Sequence, residues 1–497
     1  MSNIRVTYSG FIAFTVALIS VITGLFFTLM VTRRLSPEEF GTWAIIGSLI
    51  SYFLIVELTI SFWTTRQIAR GENVGKTSFL SSIVVSSGLI PIFIVVAFLF
   101  SEITNIDYDV MIFATILLPL TLVSQTLTGI NLGHKPHAIS YSLLIFESLK
   151  IPTALLFVII LDLGLIGAIA ATIIAYCGKI ILQSYFARNK IKGKFNFRTL
   201  YRWIKLSWIP VYSNIASLIW SLDVMVYSLI TGSVIGVAYY AASVSITALI
   251  AHSGMISQAL YPKLLAKGGH DFIKENLNHL LYFSIFLLGI SILFAKPALF
   301  ALNPAYKDAS LIVIFFAFRA FFYVITGVLY KILMGLETVD LNEKQTYRML
   351  AKSKLFYVPT LINIHYISYI LIIIVTIFIL NQQGTDELEM VVWWSVIAFS
   401  LQIPFFIYAT YLVKKETKIS FPIIKVIKYT FGTVVCSIVY FLTSDSLIEY
   451  HVSIYDYLPG LILEFLLCSI VYFIITYFID KNTRNLFKSI LTEIRRK

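Results

Sequence analysis

Long apolar runs, separated by short polar segments, recur along the whole chain of 497 residues. A helix that crosses a bilayer needs about 20 apolar residues, and the runs of this length predict about 14 such helices. The pattern is therefore typical of an all-α polytopic membrane protein. The predicted spans lie near residues 8–32, 40–62, 78–101, 110–131, 141–161, 163–186, 204–231, 234–262, 276–296, 308–334, 359–380, 389–413, 425–443 and 456–479.

The composition agrees with a membrane protein. Hydrophobic residues make up 58% of the chain and charged residues 13%, whereas soluble domains average about 45–50% and about 25%. In a soluble chain the net charge of +12 would suggest a nucleic-acid partner, but here the placement of the charges matters more, and we expect no nucleic acid. The three cysteines fall within apolar runs without ligand spacing, so we expect neither a metal site nor a cofactor.

The charges of the connecting segments alternate along the chain. If both termini are cytoplasmic, the cytoplasmic segments contain 31 of the 38 lysines and arginines. Cytoplasmic loops retain Lys and Arg, so the alternation predicts a multi-pass protein of the cell membrane with both termini inside. The outer segments contain Arg33, Arg34, Lys296 and Lys307, and three further cations lie within spans.

The most basic loop separates the first six spans from the rest. It runs from Arg188 to Lys205 and holds seven cations, which we interpret as a cytoplasmic linker near anionic lipid. The predicted organisation is an N-lobe over residues 1–187 (spans 1–6), this linker over 188–205, a C-lobe over 206–415 (spans 7–12), and spans 13 and 14 with a basic cytoplasmic tail over 416–497.

Spans 1–2 and 7–8 are similar to each other at an offset of 195 residues, which places Gly41 on Gly236. In both copies a long span leads to a short outer turn, a glycine and then aromatic residues, Trp43 in the first copy and Tyr239 and Tyr240 in the second. A six-span unit repeated in tandem gives two bundles in the same orientation, with the substrate path between them near the midplane. The pattern predicts two six-helix lobes around a central cavity. A coincidental likeness of two hairpins is the alternative.

Two segments resemble a known family. The segment from Thr32 to Ala44, TRRLSPEEFGTWA, resembles the outer turn after the first span of the polysaccharide-biosynthesis (Wzx-like) flippases, which belong to the multidrug/oligosaccharidyl-lipid/polysaccharide (MATE-like) exporter superfamily. The stretch from Trp208 to Lys263, with Asp223, Gly236 and the Tyr-Tyr-Ala-Ala that begins at Tyr239, looks like the second-lobe signature of the same family.

The resemblance implies a function and a set of partners. The family moves polyprenyl- or dolichyl-linked oligosaccharides from the cytoplasmic to the outer leaflet, by alternating access of two six-helix lobes, with spans 13 and 14 added beside them. The expected partners are therefore a lipid-linked oligosaccharide, membrane lipid and glycan-assembly enzymes.

Two other classes of function are weighed against the flippase. An ion-coupled small-molecule or drug exporter of the same superfamily is the alternative, although such exporters typically have twelve spans and an acid in the first, and no ionisable residue lies between Ser9 and Thr32 here. A membrane enzyme for lipid-linked sugars is disfavoured because the longest outer loop, about Ser444 to Tyr455, is too short for a catalytic domain. We therefore expect no enzyme.

Charged residues within spans are the candidate site residues, since a charge near the bilayer centre costs at least about 2.5–3.5 kcal/mol. Arg319 lies in the middle of span 10, where its guanidinium can bind a phosphate or a carboxylate through two hydrogen bonds; a structural ion pair is the alternative. Lys150 lies near the midplane of span 5, three residues after Glu147. It either lines the cavity or pairs with Glu147 on the same helix face.

Several other residues are weaker candidates. Glu147 could take up a proton and couple transport to the proton gradient, and Glu57 in span 2 is a second coupling candidate. Asp223 either lines the cavity or fixes span 7 to a neighbouring helix through hydrogen bonds. Arg33 and Arg34, at the outer mouth, could contact sugar or phosphate on release unless the nearby glutamates neutralise them.

Two further charged residues are expected to have local roles. Lys179, near the inner end of span 6, can extend its ammonium group towards the membrane surface. Glu464, in span 14, either lines a groove for a lipid tail or pairs locally.

Overall fold

The computed structural model of the chain is helical in its described part, where no strand occurs. The described residues are 16, 20, 23, 24, 26–69, 71–104, 106–135, 137–205, 207–257, 260, 264, 270–337, 349 and 351–485. Residues 26–34 are helical and form the end of the first predicted span, most of which lies outside the described residues.

The α-helices that follow are short connecting helices and longer membrane helices. They are α1 (Pro37–Phe53), α2 (Ile55–Ala69), α3 (Gly75–Thr104), α4 (Tyr108–Ala114), α5 (Leu117–His134), α6 (His137–Ala154), α7 (Gly164–Ile191), α8 (Phe197–Lys205), α9 (Trp208–Thr231), α10 (Ile235–His252), α11 (His270–Leu293), α12 (Ala295–Leu302), α13 (Ser310–Gly335), α14 (Lys354–Gln382), α15 (Glu387–Thr417), α16 (Ile423–Leu447) and α17 (Ile454–Ile479).

The prediction of an all-helical, multi-pass membrane protein is confirmed. Within the described part, 12 helical segments are long and apolar enough to cross a membrane, and the bent pair of α1 and α2 makes a thirteenth. The predicted total of 14 also includes the span near residues 8–32, so this total stays a prediction.

The second predicted span is bent. α1 and α2 meet at Leu54 with an angle of 53°. Just before the bend, the hydroxyl of Ser51 donates to the carbonyl oxygen of Ser48 at 2.6 Å, and the hydroxyl of Ser48 donates to the carbonyl oxygen of Ser221 on α9 at 2.9 Å. Serine hydroxyls that bond to the carbonyls of the preceding turn bend helices. An apolar run in the sequence does not reveal such a bend.

A capping box begins α1 just after the first span. The hydroxyl of Ser36 accepts from the backbone N–H of Glu39 at 3.2 Å, and the carboxylate of Glu39 accepts from the N–H of Ser36 at 2.9 Å. Pro37 occupies the first helical position, where its missing N–H has no cost. These bonds fix the turn between the first span and α1, which the sequence predicts to be an outer turn.

Spans 5 and 6 form a tight antiparallel hairpin. α6 passes through Pro152 and widens into a π-helical turn over Leu155–Ile160. The chain then reverses within residues 161–163, and Gly164 adopts a φ of +52°, which favours glycine. Side chains at equal distances from this turn therefore meet across α6 and α7.

The predicted linker at 188–205 is helical over most of its length. α7 continues to Ile191, and α8 covers Phe197–Lys205. On one face of α8, Trp203 is only 1% exposed and its indole N–H donates to the side-chain oxygen of Gln67 at 3.0 Å. On the other face, Phe197 is 71% exposed. Such an amphipathic helix suits the surface of a membrane.

The chain divides into two compact units. The first consists of Met1–Ala241 and Ile362–Val391, and the second of Ala242–Leu361 and Val392–Lys497. The first unit includes α1 to α9, with a core between α2, α3, α5, α7 and α8. The predicted division into lobes at residues 188–205 stays a prediction.

In the second unit, the hairpin of α16 and α17 packs against α11. The hydroxyl of Tyr472 donates to the carbonyl oxygen of Tyr282 at 2.9 Å, and the rings of Tyr282 and Tyr429 lie 5.2 Å apart. Gly289 on α11 lies directly against the side chain of Thr433, so the helices approach closely. The last two spans are therefore attached by specific contacts.

A buried carboxylate joins the two ends of this hairpin. Asp480, which follows α17, is 1% exposed and accepts from the ammonium of Lys425 and, at 3.0 Å, from the hydroxyl of Tyr429. The ammonium of Lys428 lies 3.6 Å from the same carboxylate. Burial by itself raises the pKa of Asp480, but the hydrogen bonds and charge of Lys425 and the Tyr429 hydroxyl bring it below its ordinary value.

Candidate functional site

Glu147 and Lys150 lie on α6, and they do not pair with each other. One carboxylate oxygen of Glu147 accepts from the hydroxyl of Ser20 at 2.8 Å, and the other is buried with no hydrogen-bond partner in the described part of the chain. The ammonium of Lys150 lies 3.8 Å from the centre of the Phe27 ring and 5.4 Å from that of Phe146. Within the described residues it forms no ion pair.

Lys179 on α7 joins this group. Its ammonium lies 5.7 Å from the centre of the Phe146 ring and 5.6 Å from that of Tyr176. Lys150 and Lys179 therefore share one aromatic ring, and the half-buried cations of two helices come together beside Glu147. We call Glu147, Lys150 and Lys179 the lysine cluster.

The short turn between spans 5 and 6 is a feature of the sequence that indicates this cluster, because it makes the two spans adjacent. The prediction of the spans did not use it. The short turn at residues 161–163 brings α6 and α7 side by side, with Lys150 11 residues before it and Lys179 16 residues after it. Gly178 faces Leu149 across the hairpin, which brings the two helices close at this level. The expectation that Lys179 only reaches for the membrane surface took no account of this neighbour.

Glu57 lies just after the bend between α1 and α2. Its side chain is 2% exposed, and one carboxylate oxygen accepts from the hydroxyl of Thr126 on α5 at 2.9 Å. The carboxylate borders a cavity of about 280 Å³ within the first unit. A buried carboxylate beside a cavity can exchange a proton or accept a hydrogen bond from a ligand.

Asp223 is enclosed by helices of the first unit and is 0% exposed. One of its carboxylate oxygens accepts from the hydroxyls of Tyr369 at 2.9 Å and Tyr240 at 3.2 Å. Tyr369 is itself stacked on Trp220, with the ring centres 4.9 Å apart. These contacts connect α9, α10 and α14. They favour the alternative in which Asp223 fixes span 7 in place.

Arg319 lies on α13 in the second unit and is half-buried. Its guanidinium carbon lies 5.5 Å from the centre of the Tyr323 ring, one turn further along the helix. The structural ion pair that the sequence left open for Arg319 stays a prediction.

Arg33 and Arg34 end the helix of the first span, where Arg33 is half-buried and Arg34 is exposed. Of the neighbouring acids, Glu39 is held by the capping box and also accepts from the N–H of Leu165 at 3.4 Å. Its carboxylate is therefore occupied by backbone groups.

The turns before α1 and before α10, which the sequence predicts to be the outer turns of a repeat, meet within the first unit. Gly41 lies directly against the backbone carbonyl of Val234, so that a side chain at Gly41 would collide with the chain there. Glu387, at the start of α15, accepts from the backbone N–H of Gly236 at 2.7 Å and from the hydroxyl of Ser233 at 2.7 Å. The sequence drew attention to both glycines but not to Glu387.

Two other acids have local roles. Glu464 is 0% exposed and accepts from the hydroxyl of Thr443 at 2.8 Å, which confirms the local pairing that the sequence left open. Asp107 caps α4 by accepting from the N–H of Asp109 at 3.0 Å. No group of three or more His, Cys, Asp and Glu residues that could hold a metal ion is found in the described part of the chain.

Comparison with known proteins gives one family model that matches the chain and several solved structures that share its fold. A family model described as polysaccharide biosynthesis protein matches residues 6–266. No curated protein sequence matches the chain significantly. Among solved structures, the lipid II flippase MurJ in an inward closed conformation is 17% identical, with 95% of this chain and 99% of that chain covered and a TM-score of 0.63.

Two further solved structures have the same fold. A multidrug resistance MATE family transporter of the MOP superfamily, in an inward-facing conformation, is 13% identical, with 83% of this chain and 99% of that chain covered and a TM-score of 0.59. An outward-facing conformation of such a transporter is 15% identical, with 84% and 96% covered and a TM-score of 0.51. These three structures are transporters and a flippase. The predicted family resemblance and the predicted fold are both confirmed.

Proposed function

Because the chain belongs to the polysaccharide biosynthesis protein family, we propose that it is a flippase that moves lipid-linked oligosaccharides from the cytoplasmic to the outer leaflet. The substrate would be a polyprenyl- or dolichyl-linked oligosaccharide delivered by glycan-assembly enzymes. The proposal has both termini in the cytoplasm, as the alternation of basic loops predicts, and it assigns the chain no enzymatic step.

The lysine cluster carries this proposal. An ammonium group in a span costs at least about 2.5–3.5 kcal/mol, whereas a cation–π contact returns about 0.5–2 kcal/mol. Lys150 and Lys179 have aromatic neighbours but no ion pair within the described residues, and Glu147 can balance at most one of them. An anionic group, such as the phosphate of a lipid carrier or an acidic sugar, would complete the cluster.

Arg319 is the second anion-binding residue of the proposal. Its planar guanidinium offers two parallel N–H donors, which suit a phosphate better than the single ammonium of a lysine does. Arg33 and Arg34 would contact the substrate on release, because they stand at the predicted outer end of span 1.

Glu147 is the favoured coupling residue, with Glu57 as the second candidate. When Glu147 is ionised, it offsets one of the two ammonium groups, and when it is protonated, the cluster holds two uncompensated positive charges. Proton uptake at Glu147 would therefore strengthen the binding of an anionic substrate. The unbonded carboxylate oxygen of Glu147 supports this role, since a proton there displaces no hydrogen bond within the described residues.

Alternating access is the proposed mechanism. In it, the N-lobe and the C-lobe rock about a central, partly cationic cavity while the lipid tail stays in the bilayer or beside spans 13 and 14. The packing of Gly41 against Val234 would close the outer side, and separation of these two turns would open it. Glu387 would act as the latch through its bonds to Ser233 and Gly236.

Substitutions of Lys150 test the function most directly among the site residues. We expect Lys150→Met to cause lipid-linked oligosaccharide to accumulate severalfold in the native cell, at a normal protein level. Lys150→Arg keeps the positive charge and should accumulate much less. Lys307→Met, at an exposed outer position, is the control and should leave the pool unchanged. If cells with Lys150→Met had the same pool of lipid-linked oligosaccharide as the wild type, the proposed substrate-binding role of the lysine cluster would be contradicted.

A further inference from the structure

The first unit contains two neighbouring cavities that share two lining residues, Ser51 and Leu54, at the bend of span 2. The aromatic cavity has a volume of about 230 Å³ and is lined by Trp43, Gly47 and Tyr176 among others. The polar cavity has a volume of about 280 Å³ and is lined by Glu57, Ser61, Gln125, Ser217 and Ser221 among others.

The aromatic cavity presents two fixed rings from different helices. Trp43 on α1 packs on Phe27 with the ring centres 6.3 Å apart, and Tyr176 on α7 packs on Phe146 at 5.0 Å. The face of an aromatic ring carries partial negative charge and attracts the partially positive edge of a neighbour. The C–H groups on one face of a sugar ring are also partially positive. Fixed aromatic rings therefore suit the stacking of a sugar ring on their faces.

The polar cavity presents hydrogen-bonding groups instead. Glu57 offers carboxylate oxygens, and Gln125 offers both an amide donor and a carbonyl acceptor that form no hydrogen bond within the described residues. Sugar hydroxyls both donate and accept, and a carboxylate and an amide match a neighbouring pair of them. Polar groups are expensive inside a membrane and mark a functional path there.

The sizes of the cavities also point to single sugar rings. Sites for drug-sized ligands have volumes of about 300–1,000 Å³, and each of these cavities is slightly smaller. Because the two cavities share lining residues, they would hold two linked sugar rings next to each other. One sugar ring would then stack on aromatic side chains in the aromatic cavity, and the next would form hydrogen bonds in the polar cavity.

We propose that the two cavities are adjacent saccharide subsites, in which Trp43 and Tyr176 stack on one sugar ring and Glu57 and Gln125 bind the hydroxyls of the next. The proposal rests on the proposed function and deepens it, because it assigns the glycan, rather than the lipid phosphate, to the bend of span 2. The lysine cluster lies beside the same rings, since Phe27 contacts both Trp43 and Lys150.

Gly47 allows a test that leaves the fold intact. No atom lies within 4 Å of a Cβ built at Gly47, and the same is true of Gly88 on the exposed face of α3. Gly47→Leu therefore adds a side chain whose Cβ has open space beside it at the aromatic cavity, and Gly88→Leu is its matched control. We expect Gly47→Leu to accumulate lipid-linked oligosaccharide in the native cell and Gly88→Leu to behave like the wild type, at equal protein levels.

The outcomes separate this proposal from the flippase proposal. If depletion of the whole protein accumulates lipid-linked oligosaccharide but Gly47→Leu does not, the subsites are wrong and the flippase stands. If depletion has no effect on the pool, the flippase itself is wrong. Accumulation in both Gly47→Leu and Gly88→Leu would also overturn the subsites, since any added bulk would then be harmful.

A protection experiment identifies which part of the substrate occupies the cavity. The exposed native Cys177 is replaced by Ser, and Gly47→Cys in the full-length purified protein is labelled with a maleimide. Lipid-linked oligosaccharide extracted from depleted cells should abolish the labelling, and so should the free glycan released from it. Polyprenyl phosphate without sugar should not.

A second cysteine position outside the cavity serves as the control for the labelling. Glu72→Cys, in the exposed turn after α2, should be labelled at the same rate with every addition. Protection of Gly47→Cys by polyprenyl phosphate alone would assign the cavity to the lipid phosphate and overturn the proposal. Absence of protection by both the intact substrate and the free glycan would do the same.

Discussion

The ammonium of Lys150 lies 3.8 Å from the centre of the Phe27 ring, within a predicted span and without an ion pair in the described part of the chain. The ring stabilises the cation only in part, because a cation–π contact contributes about 0.5–2 kcal/mol. Phe27 also packs on Trp43, which lines the aromatic cavity. The cation and the proposed sugar subsite are therefore connected through one side chain.

Arg319 should be essential for transport. We expect Arg319→Ala to accumulate lipid-linked oligosaccharide as strongly as depletion of the protein does. Arg319→Lys should give an intermediate pool, because lysine keeps the charge but not the planar pair of donors. The pools are measured by mass spectrometry at matched protein levels. Normal transport by Arg319→Ala would remove this residue from the site.

Asp223 should affect stability more than substrate binding. Asp223→Ala leaves the hydroxyls of Tyr240 and Tyr369 without their acceptor, at a cost of about 1–3 kcal/mol for each unpaired group. Tyr369→Phe removes one of the same bonds and should cause part of the same loss. Thermal unfolding in detergent measures both variants. An Asp223→Ala protein with wild-type thermal stability but no transport would instead make Asp223 a substrate ligand.

Glu387 should hold the outer turns together. A hydrogen bond to a charged group contributes about 1.5–3 kcal/mol, so Glu387→Gln should increase opening of this turn roughly tenfold. Amide hydrogen exchange at residues 233–236 measures the opening. Glu389→Gln is the control, because Glu389 is exposed on the same helix. Unchanged exchange in Glu387→Gln would show that Glu387 is not a latch.

The hairpin of spans 13 and 14 should loosen in acid. The pKa of Asp480 is below its ordinary value in the folded protein, so the ionised carboxylate contributes stability above the ordinary pKa of an aspartate. That contribution is lost as the pH falls through the lowered value. Asp480→Asn should remove this part of the pH dependence and lower stability at neutral pH by about 2 kcal/mol. If the wild type and Asp480→Asn lost the same amount of stability as the pH falls, the role of Asp480 in this pH dependence would be contradicted.

The lengths of the apolar runs predict most of the fold. Each predicted span from the second onwards corresponds to helices of the structure, because a crossing requires a fixed apolar length. The bend at Leu54 could not be predicted in this way, because it depends on hydroxyl bonds of Ser48 and Ser51, one of them to α9. The helix within the basic linker was missed because a count of charges ignores the apolar face around Trp203.

The sequence predicts which charged residues lie within each span, but not which residues of other helices they contact. The sequence singled out Lys150 and Glu147 because charges are rare in spans, but the only partner it considered for Lys150 lies on the same helix. The neighbour of Lys150 is instead Lys179, on the adjacent helix. Glu387 was missed for a similar reason, since its partners Ser233 and Gly236 lie about 150 residues earlier. Contacts between distant segments are not encoded in local periodicity.

Depletion of the protein in its native cell tests the central claim most directly. Lipid-linked oligosaccharides and surface glycans are quantified together by mass spectrometry. The flippase account predicts that the lipid-linked pool rises while the surface glycan falls, and the accumulated species then identifies the substrate. Unchanged levels of both pools, in a cell with no second flippase of this fold, would contradict the account and favour the exporter of small molecules.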